Sequence, residues 1–277
     1  NLGFYLLLLL LLFPAFGVLL KPGFFPMQDD LQAFRVHQMD KCFDDLQIPC
    51  RWVPDAGYQY GYPLFNYYPP SVYYVGAILH RVGFQYIDSV KILFIFGYIL
   101  SAITMFVLVK EQAGPWPAFV SSILYTYVPY KAVEVYVRGA MSEFWALTIF
   151  PLLFWSTLKL IKTLKLRYLI WFGLSVGLLL TTHTLMSLIF FPVLGIWIVY
   201  WIIAERKWVS MRKLFLGVIL GVGLAAFFVL PLLFERKFTH SESLLSGYFD
   251  YRAHYVSLYK LFLSREWGYG SSGFPNE

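Results

Sequence analysis

Long uncharged runs alternate with short charged segments along the chain. Five of the runs have the length of a membrane helix: Leu2–Leu20, Ile92–Val109, Gln112–Tyr130, Phe144–Leu158 and Leu214–Phe234. A further stretch, Tyr168–Ala204, has 37 residues and contains a single ionisable side chain, His183. Because a bilayer core about 30 Å thick is crossed by roughly 20 helical residues, that stretch is too long for one crossing. We expect it to break near residues 181–184, which predicts seven spans.

The polar segments between these runs differ in length. Residues 21–90 and 235–277 form two long segments, and residues 131–141 form a short one. In the first long segment, the spacing of the apolar residues predicts an amphipathic juxtamembrane helix lying on the membrane face. Its apolar side is Leu31, Phe34, Met39, Cys42, Phe43 and Leu46, and its polar side is Gln32, Arg35, His37, Asp40, Asp44 and Asp45. Residues 58–70, which are rich in aromatic residues, Gly and Pro, predict a fixed loop at the interface.

The composition is that of a membrane protein and excludes other classes. Of the 277 residues, 59% are hydrophobic and 14% are charged, and the mean hydropathy is +0.62. A soluble domain has about 25% charged residues, so this chain lacks the polar surface of a soluble enzyme. With 20 Gly, 15 Pro and 2 Cys, the chain matches neither a collagen-like repeat, a disordered protein nor a disulfide scaffold.

The net charge of +6 is explained by the orientation of the chain in the membrane and does not indicate nucleic-acid binding. If residue 1 is cytoplasmic, the cytoplasmic loops hold nine basic and two acidic residues, and the outer segments hold 13 basic and 14 acidic ones. The positive-inside rule then predicts a multi-pass protein with a cytoplasmic N-terminus and long outer loops. We expect it in the plasma (inner) membrane. Leu2–Leu20 lacks a basic leader and a small-residue cleavage site, which favours an uncleaved helix over a signal peptide. We expect residues 1–277 to be a single transmembrane domain of a longer chain.

Two adjacent carboxylates, Asp29 and Asp30, follow the first predicted span. One interpretation is an N-cap for the next helix, since Asp is favoured at that position. The other is an acidic group at the mouth of the helix bundle, acting as a general base or holding a divalent cation such as Mg²⁺ or Mn²⁺. The local sequence leaves both interpretations open.

The aromatic loop and the cysteines also allow two interpretations each. The loop either anchors the chain at the interface or forms a sugar platform or a lipid groove from Tyr60, Tyr62, Phe65 and Tyr67. Cys42 and Cys50 both lie in the first polar segment, where a disulfide is permitted but not required. The sequence contains no CxxC, no P-loop and no G-x-G-x-x-G, so nucleotide-driven chemistry is not expected.

Three charged or ionisable residues outside the first segment are candidates for a site. Glu134 and Arg138 have i, i+4 spacing, which predicts a helical ion pair. Alternatively, Arg138 beside the flexible Gly139 is suited to clasping a phosphate. His183 is either a locally satisfied polar group or a residue that faces a cavity, as ionisable residues at membrane depth usually do.

Several segments together resemble a known group of proteins. They are the N-terminal span with its early acidic pair, QIPCRWVPDAGYQYGYPLFNYYPP, YVRGAMSEFWAL, TTHT and FDYRAHYVSLYKLFLSREWGYGSSG. The chain resembles the GT-C superfamily of integral-membrane glycosyltransferases, and within it a bacterial branch labelled 6-pyruvoyl-tetrahydropterin synthase-related membrane proteins. The sequence has no zinc-binding histidine set, so the label implies no pterin chemistry here. The resemblance implies an all-α, GT-C-like multispanning bundle.

The resemblance also implies a reaction. A sugar would pass from a polyprenyl-phosphate donor to an acceptor hydroxyl of a glycan, lipid or protein on the outer membrane face, with inversion of the anomeric centre. Asp29 or Asp30, with a slight preference for Asp30, would act as the base or as a metal ligand. The side chains expected at the phosphate are Arg138 first, then Arg35 and Arg51, with His183 at the phosphate or the acceptor.

Two non-enzymatic alternatives remain compatible with the sequence. One is a transporter of lipid or polysaccharide, and the other is a scaffold for envelope assembly. Ion-coupled transport is disfavoured because the predicted spans are almost free of ionisable residues.

Overall fold

The computed structural model describes residues 2–240 together with residues 246, 247, 250, 252, 255 and 257–263. Most of the described residues are helical, and their one isolated antiparallel bridge joins Val53 to Tyr62. The predicted last loop, residues 235–277, falls largely outside the described part of the chain. The first 234 residues therefore carry the architecture discussed below.

The helices are given in chain order. They are α1 (Leu2–Phe16), α2 (Gln32–Asp44), α3 (Leu64–Tyr67), α4 (Ser71–Arg81), α5 (Tyr86–Ala113), α6 (Pro115–Thr126), α7 (Pro129–Val133), α8 (Met141–Thr163), α9 (Leu166–Thr182), α10 (Thr184–Glu205), α11 (Ser210–Phe234) and α12 (Leu258–Phe262). A 3₁₀ turn over Gly17–Leu20 extends α1, and a π-helix over Glu134–Arg138 connects α7 to α8.

The predicted spans correspond to apolar helices. Among the described residues, four helices are long and apolar enough to cross a membrane, namely α5, α8, α10 and α11. Leu6–Leu20 and α9 are shorter apolar helices. The third predicted span is interrupted at Gly114, and its helix α6 has only 12 residues. The helical multispanning class is confirmed, and seven complete crossings stay a prediction.

The predicted break within Tyr168–Ala204 is confirmed. Helix α9 ends at Thr182, His183 is extended with φ −158° and ψ 113°, and α10 begins at Thr184. The backbone N–H of Met186 donates to His183 Nδ1 at 3.1 Å, which caps the new helix. The cap fixes the imidazole at the junction of the two helices.

The basic connections that were predicted to be cytoplasmic meet at one end of the bundle. Lys159 lies 2.9 Å from Glu111, and Lys162 lies 3.8 Å from Glu205. These pairs join the connections that follow α5, α8 and α10. Because α5 and α8 begin at the opposite end, that end holds the first polar segment and the α7–α8 connection. It is called the polar end below.

Helices α9 and α11 approach closely because glycines line both contact faces. A Cβ added at Gly221 of α11 would lie 2.6 Å from Val176 Cβ and 2.7 Å from the Gly173 carbonyl oxygen. Small residues allow this backbone approach between membrane helices. The close pair holds α11 beside α9, next to the groove described below.

Replacing Gly221 by Ala is expected to destabilise the bundle by about 1–3 kcal/mol, the usual effect of overpacking. Gly223 provides the matched control on the same helix, since a Cβ there meets no atom within 4 Å. G223A should leave the melting temperature unchanged or raise it slightly, because Ala favours helix more than Gly does. Thermal unfolding of both variants in detergent measures the difference. Equal losses would contradict the close α9–α11 contact.

The division of α2 into an apolar and a polar side is only partly confirmed. The helix packs against α4 and α5. Leu31 and Leu46, assigned to the apolar side, lie just beyond the helix and are exposed. Gln32, Arg35 and Asp40, assigned to the polar side, are buried. Each of these three has hydrogen-bond partners inside the protein, which is why burial is tolerated.

The rest of the first polar segment contains more helix than the sequence predicted. Leu64–Tyr67 turns into α3 within the aromatic loop, and α4 follows where no helix was expected. Cys42, at the end of α2, forms a disulfide with Cys50. The sequence permitted this pairing but did not require it. The segment is therefore a folded cap over the polar end.

Candidate functional site

Two backbone hydrogen bonds join the start of the first polar segment to the connection between α7 and α8. The N–H groups of Gln28 and Asp29 donate to the carbonyls of Val137 and Arg138, each at 2.9 Å. Gly139 follows with φ 65°, a left-handed conformation that glycine adopts without strain. The structure thus joins the backbones of Asp29 and Arg138, two residues predicted for one site, while their side chains have different partners.

The Asp29 carboxylate is half-buried and is held by two donors. Arg35 Nη1 and Gln32 Nε2 donate to Asp29 Oδ2 at 2.7 and 2.8 Å. The buried Gln32 also donates to the Gly139 carbonyl at 2.7 Å and accepts from the Tyr73 hydroxyl at 2.8 Å. Within the described residues, Asp29 Oδ1 has no hydrogen-bond partner. One carboxylate oxygen is therefore positioned and the other is available.

Arg35 is enclosed on its remaining sides by tyrosines. Its guanidinium lies 4.4 Å from the ring centroid of Tyr68. Burial lowers the pKa of Arg35, but Tyr73 and Asp29 raise it by more, so the group stays cationic. Burial raises the pKa of Tyr73, which stays neutral. Asp29, Gln32, Arg35, Tyr68 and Tyr73 are called the Asp29 cluster.

Asp30 is adjacent to the Asp29 cluster but is not part of it. Its side chain is exposed and has no hydrogen bond or ion pair with the described residues. The N-cap interpretation is wrong for both aspartates, because α2 is preceded by Leu31 and has no side-chain cap. The structure therefore separates two carboxylates that the sequence could not distinguish.

Arg138 lies at the centre of a second group. Its guanidinium forms ion pairs with Glu134 on the π-helix and, at 3.0 Å, with Glu143 in the first turn of α8. The Tyr130 hydroxyl donates to Glu143 and accepts from Arg138 at 3.3 Å. The Arg138 side chain is 40% exposed, whereas that of Glu134 is fully buried. The predicted Glu134–Arg138 pair is confirmed, and these four residues are called the Arg138 cluster.

The pKa of the buried Glu134 carboxyl lies well above that of an ordinary glutamate. Burial is the main cause that raises its pKa to about 7; Glu143 adds to the effect and Arg138 opposes it. Glu134 Oε2 has no hydrogen-bond partner within the described residues. Burial and Glu143 also raise the pKa of Tyr130, which keeps its proton. π-Helices such as Glu134–Arg138 are frequent at functional sites.

His183 lies within electrostatic reach of the Arg138 cluster. Burial lowers its pKa, Glu143 raises it and Arg138 lowers it, and the net shift is downward. The imidazole is therefore neutral at pH 7. Since Nδ1 accepts from Met186, the proton of the neutral ring is on Nε2, which is a donor. His183 Nδ1 has a local hydrogen-bond partner, as the interpretation of His183 as a locally satisfied polar group requires. Nε2 has no such partner among the described residues.

An apolar groove of about 980 Å³ lies between α9, α10 and α11. Its lining includes Leu180, Thr184, Leu188, Phe191, Phe228 and Leu232, with Tyr67 at one edge. Thr184, the residue after His183 at the α9–α10 junction, lines the groove, so the groove extends to the polar end. Tyr67, predicted for a lipid groove, lines this one and donates to the Glu235 carbonyl at 3.1 Å.

The other predicted site residues lie outside the two clusters. Arg51 donates to Asn66 Oδ1 at 2.9 Å and to a backbone carbonyl of α11 at 3.3 Å, so it ties the cap to α11. Phe65 is buried in the core. Tyr60 and Tyr62 are 87% and 42% exposed. Of the four aromatic residues proposed for a platform or groove, only Tyr67 meets the groove described here.

Asp29 is paired with a cation of the protein itself, Arg35, in the structure. In the part of the chain that the structure describes, no group of three or more His, Cys, Asp or Glu side chains is placed to hold a metal ion. Arg35 already supplies a positive charge 2.7 Å from Asp29 Oδ2. Metal binding by Asp29 and Asp30 stays a prediction from the sequence.

Several members of the clusters were missed by sequence reasoning. Gln32 was assigned to the solvent side of α2, and Tyr73 lies in a helix that was not predicted. Tyr130 was counted as the end of a span. For Glu143 a signal existed, because it is an acidic residue in the first turn of a membrane helix, where ionisable groups are rare.

These features define a helical integral membrane protein with two charged clusters and an apolar groove at one end. The chain belongs to the 6-pyruvoyl-tetrahydropterin synthase related domain family of membrane proteins, whose family model matches residues 65–267. The matched range includes the Arg138 cluster, His183 and the groove, whereas Asp29 and Asp30 lie before it. No curated protein matches the chain.

Proposed function

We propose that this protein is a GT-C-type glycosyltransferase that transfers a sugar from a polyprenyl-phosphate donor to an acceptor hydroxyl, with inversion. The observation that carries the proposal is the position of the groove. It reaches the polar end at Thr184, the residue that follows His183 in the chain. His183 interacts electrostatically with Arg138, and the Asp29 N–H donates to the Arg138 carbonyl. An amphiphilic donor needs this combination of an apolar channel for its chain and polar groups for its phosphate.

Asp29 is the general base in this proposal. Arg35 and Gln32 hold Oδ2, so the carboxylate has a fixed orientation, and Oδ1 is available to accept a proton. The acceptor oxygen attacks the anomeric carbon as its proton passes to Asp29, and the bond between that carbon and the phosphate oxygen breaks. Arg35 is a positioning residue, because it acts through Asp29.

Arg138 and His183 bind the departing phosphate in this proposal. Arg138 is accessible from solvent, and the Nε2–H of His183 is a neutral donor at the α9–α10 junction. Donors aimed at developing negative charge lower the barrier for its departure. We do not assign Arg51 to the phosphate in this proposal, because its contacts tie the cap to α11.

The proposal also includes the orientation in the membrane. Basic residues collect at the end opposite to the two clusters, and such residues are enriched on the cytoplasmic side. We therefore place the polar end, with its acceptor, on the outer face of the plasma membrane. Labelling of a cysteine introduced at Asp30 by an impermeant reagent in intact cells tests the orientation.

Replacing Leu188 by Trp is expected to obstruct the groove and to raise KM for a long-chain donor by about tenfold. Losing the burial of two methylene groups alone costs about 1.6 kcal/mol, which corresponds to that factor. The measurement is release of lipid phosphate by the full-length protein in nanodiscs at varied donor concentration. A short-chain donor should be affected less, because it fills less of the groove.

Ile189 provides the matched control. It is the next residue on α10 and is 66% exposed, close to the 70% of Leu188, but it does not line the groove. I189W should leave KM unchanged. An unchanged KM in L188W, or an equal rise in both variants, would contradict the assignment of the groove to the donor chain. Movement of the lipid across the bilayer without sugar transfer would instead support the transporter alternative.

A further inference from the structure

Glu134 is the most deeply buried acidic side chain near the proposed phosphate site, and the mechanism above does not use it. Its side chain has no exposed surface, and its carboxyl contacts Arg138 through Oε1 only. Oε2 is without a partner in the described residues. Thr184 Oγ1, which belongs to the groove residue beside His183, is a second buried polar atom without a partner there. Both atoms lie at the polar end of the protein, where they provide unused hydrogen-bonding capacity among the described residues.

The charges of the Arg138 cluster oppose anion binding when both acids are ionised. One guanidinium then faces two carboxylates, Glu134 and Glu143, and the cluster has a net negative charge. A phosphate that binds Arg138 must compete with the carboxylates of Glu134 and Glu143 for the guanidinium. If one carboxylate accepts a proton, the cluster is neutral and the guanidinium is released from one competitor.

We infer that Glu134 takes up a proton when a lipid phosphate binds Arg138, so that the site binds a phosphodiester together with one proton. The inference rests on the proposed function and names how its phosphate site is regulated. The proton comes from solvent and bonds to the Glu134 carboxylate. The Glu134–Arg138 ion pair is replaced by a pair between Arg138 and the phosphate, and total charge is conserved.

The neighbours of Glu134 decide which acid is protonated. Arg138 faces it from its own π-helix, Tyr130 from α7 and Glu143 from α8, while His183 at the α9–α10 junction faces Arg138 and Glu143. Burial and Glu143 raise the pKa of Glu134 to about 7, and Arg138 opposes them. A bound phosphate takes over Arg138 and adds negative charge, and both changes raise this pKa further.

The sign of the pH dependence follows from that shift. The bound state holds the proton more tightly than the free state, so affinity is highest below pH 7 and falls as pH rises through and above it. Tyr130 stays protonated in this range because its pKa is raised. His183 stays neutral because its pKa is lowered. Glu134 is therefore the group expected to titrate.

The test is the affinity of the full-length protein in nanodiscs for farnesyl methyl phosphate, a phosphodiester that remains singly charged throughout the titration. We expect the affinity to fall by up to about tenfold per pH unit above pH 7, because one proton is linked to binding. Calorimetry at a pH above 7, in buffers of different ionisation enthalpy, should show uptake of close to one proton. Inorganic phosphate should compete weakly, and equal competition would overturn the assignment to a lipid ligand.

Two variants separate the roles of the acids. E134Q should bind the diester at high pH as tightly as the wild type binds it at low pH, with no pH dependence. E143Q should keep the pH dependence but shift its midpoint to lower pH, because Glu143 raises the pKa of Glu134. The E143Q result decides the question even if E134Q fails to fold.

The outcomes distinguish this inference from the proposed function. Wild-type binding that is tight and independent of pH would overturn proton coupling and leave the donor assignment intact. An unchanged midpoint in E143Q would also overturn it. Absence of diester binding at every pH would overturn both the coupling and the assignment of Arg138 to the donor phosphate.

Discussion

Replacing Asp29 by Asn is expected to lower kcat for sugar transfer by roughly 10²–10⁴-fold, the usual contribution of a general base. The amide oxygen of Asn can still accept from Arg35 and Gln32, so the fold around it should persist. What is lost is the ability to take the acceptor proton. KM for the donor should change little, because the base acts in the transition state. Steady-state kinetics of the full-length variant measures both quantities.

The matched control is the same change at the neighbouring carboxylate. Asp30 is exposed and has no partner among the described residues, so D30N should alter kcat by no more than about twofold, as surface substitutions usually do. Loss of activity in D30N with normal activity in D29N would reverse the assignment. The slight preference for Asp30 derived from the sequence would then be correct.

Replacing Gly139 by Ala is expected to impair both stability and transfer. The position has φ 65°, and an added Cβ would overlap Met27 Sδ and lie 3.0 Å from the Asp29 carbonyl oxygen. The left-handed conformation alone costs Ala about 1–2 kcal/mol, and the collision adds about 1–3 kcal/mol. Because the collision displaces the segment that holds Asp29, activity should fall by roughly 10²-fold, as for a 1 Å misplacement.

Gly114 separates backbone strain from the collision. It has φ 86°, and a Cβ there meets no atom within 4 Å. Its ψ of −179° places it in a region essentially restricted to glycine, so G114A should lose at least as much stability to backbone strain as G139A, by about 1–3 kcal/mol, without losing activity. Thermal unfolding and the transfer assay are applied to both variants. An active G139A protein would show that the contact between residues 27–29 and Gly139 does not position the site.

The positions of the membrane helices could be predicted because they depend on local composition. The length limit on a single crossing was enough to place the break at His183, and the structure has the break there. The Glu134–Arg138 pair was predictable for the same reason, since its members are neighbours on one helical turn. These features need no knowledge of distant contacts.

The buried polar contacts could not be predicted because they join distant parts of the chain. Gln32 is buried since it bonds to the Gly139 carbonyl, 107 residues away, and to Tyr73 on α4. Without those partners, its residue type indicates a solvent-facing side chain. The groove is likewise formed by three helices together, so no single segment reveals it. For the same reason the residues alone could not separate Asp29 from Asp30, and the slight preference for Asp30 was given only with the family resemblance.

The central claim is that this membrane protein cleaves a polyprenyl-phosphate sugar at the site around Asp29. The most direct measurement incubates the full-length protein in nanodiscs with a panel of radiolabelled donors and a membrane extract that supplies acceptors. The account predicts that lipid phosphate and transferred sugar appear in equal amounts, with inverted anomeric configuration, and that both are lost in D29N. Donors that stay intact across the panel, or turnover that D29N leaves unchanged, would contradict it.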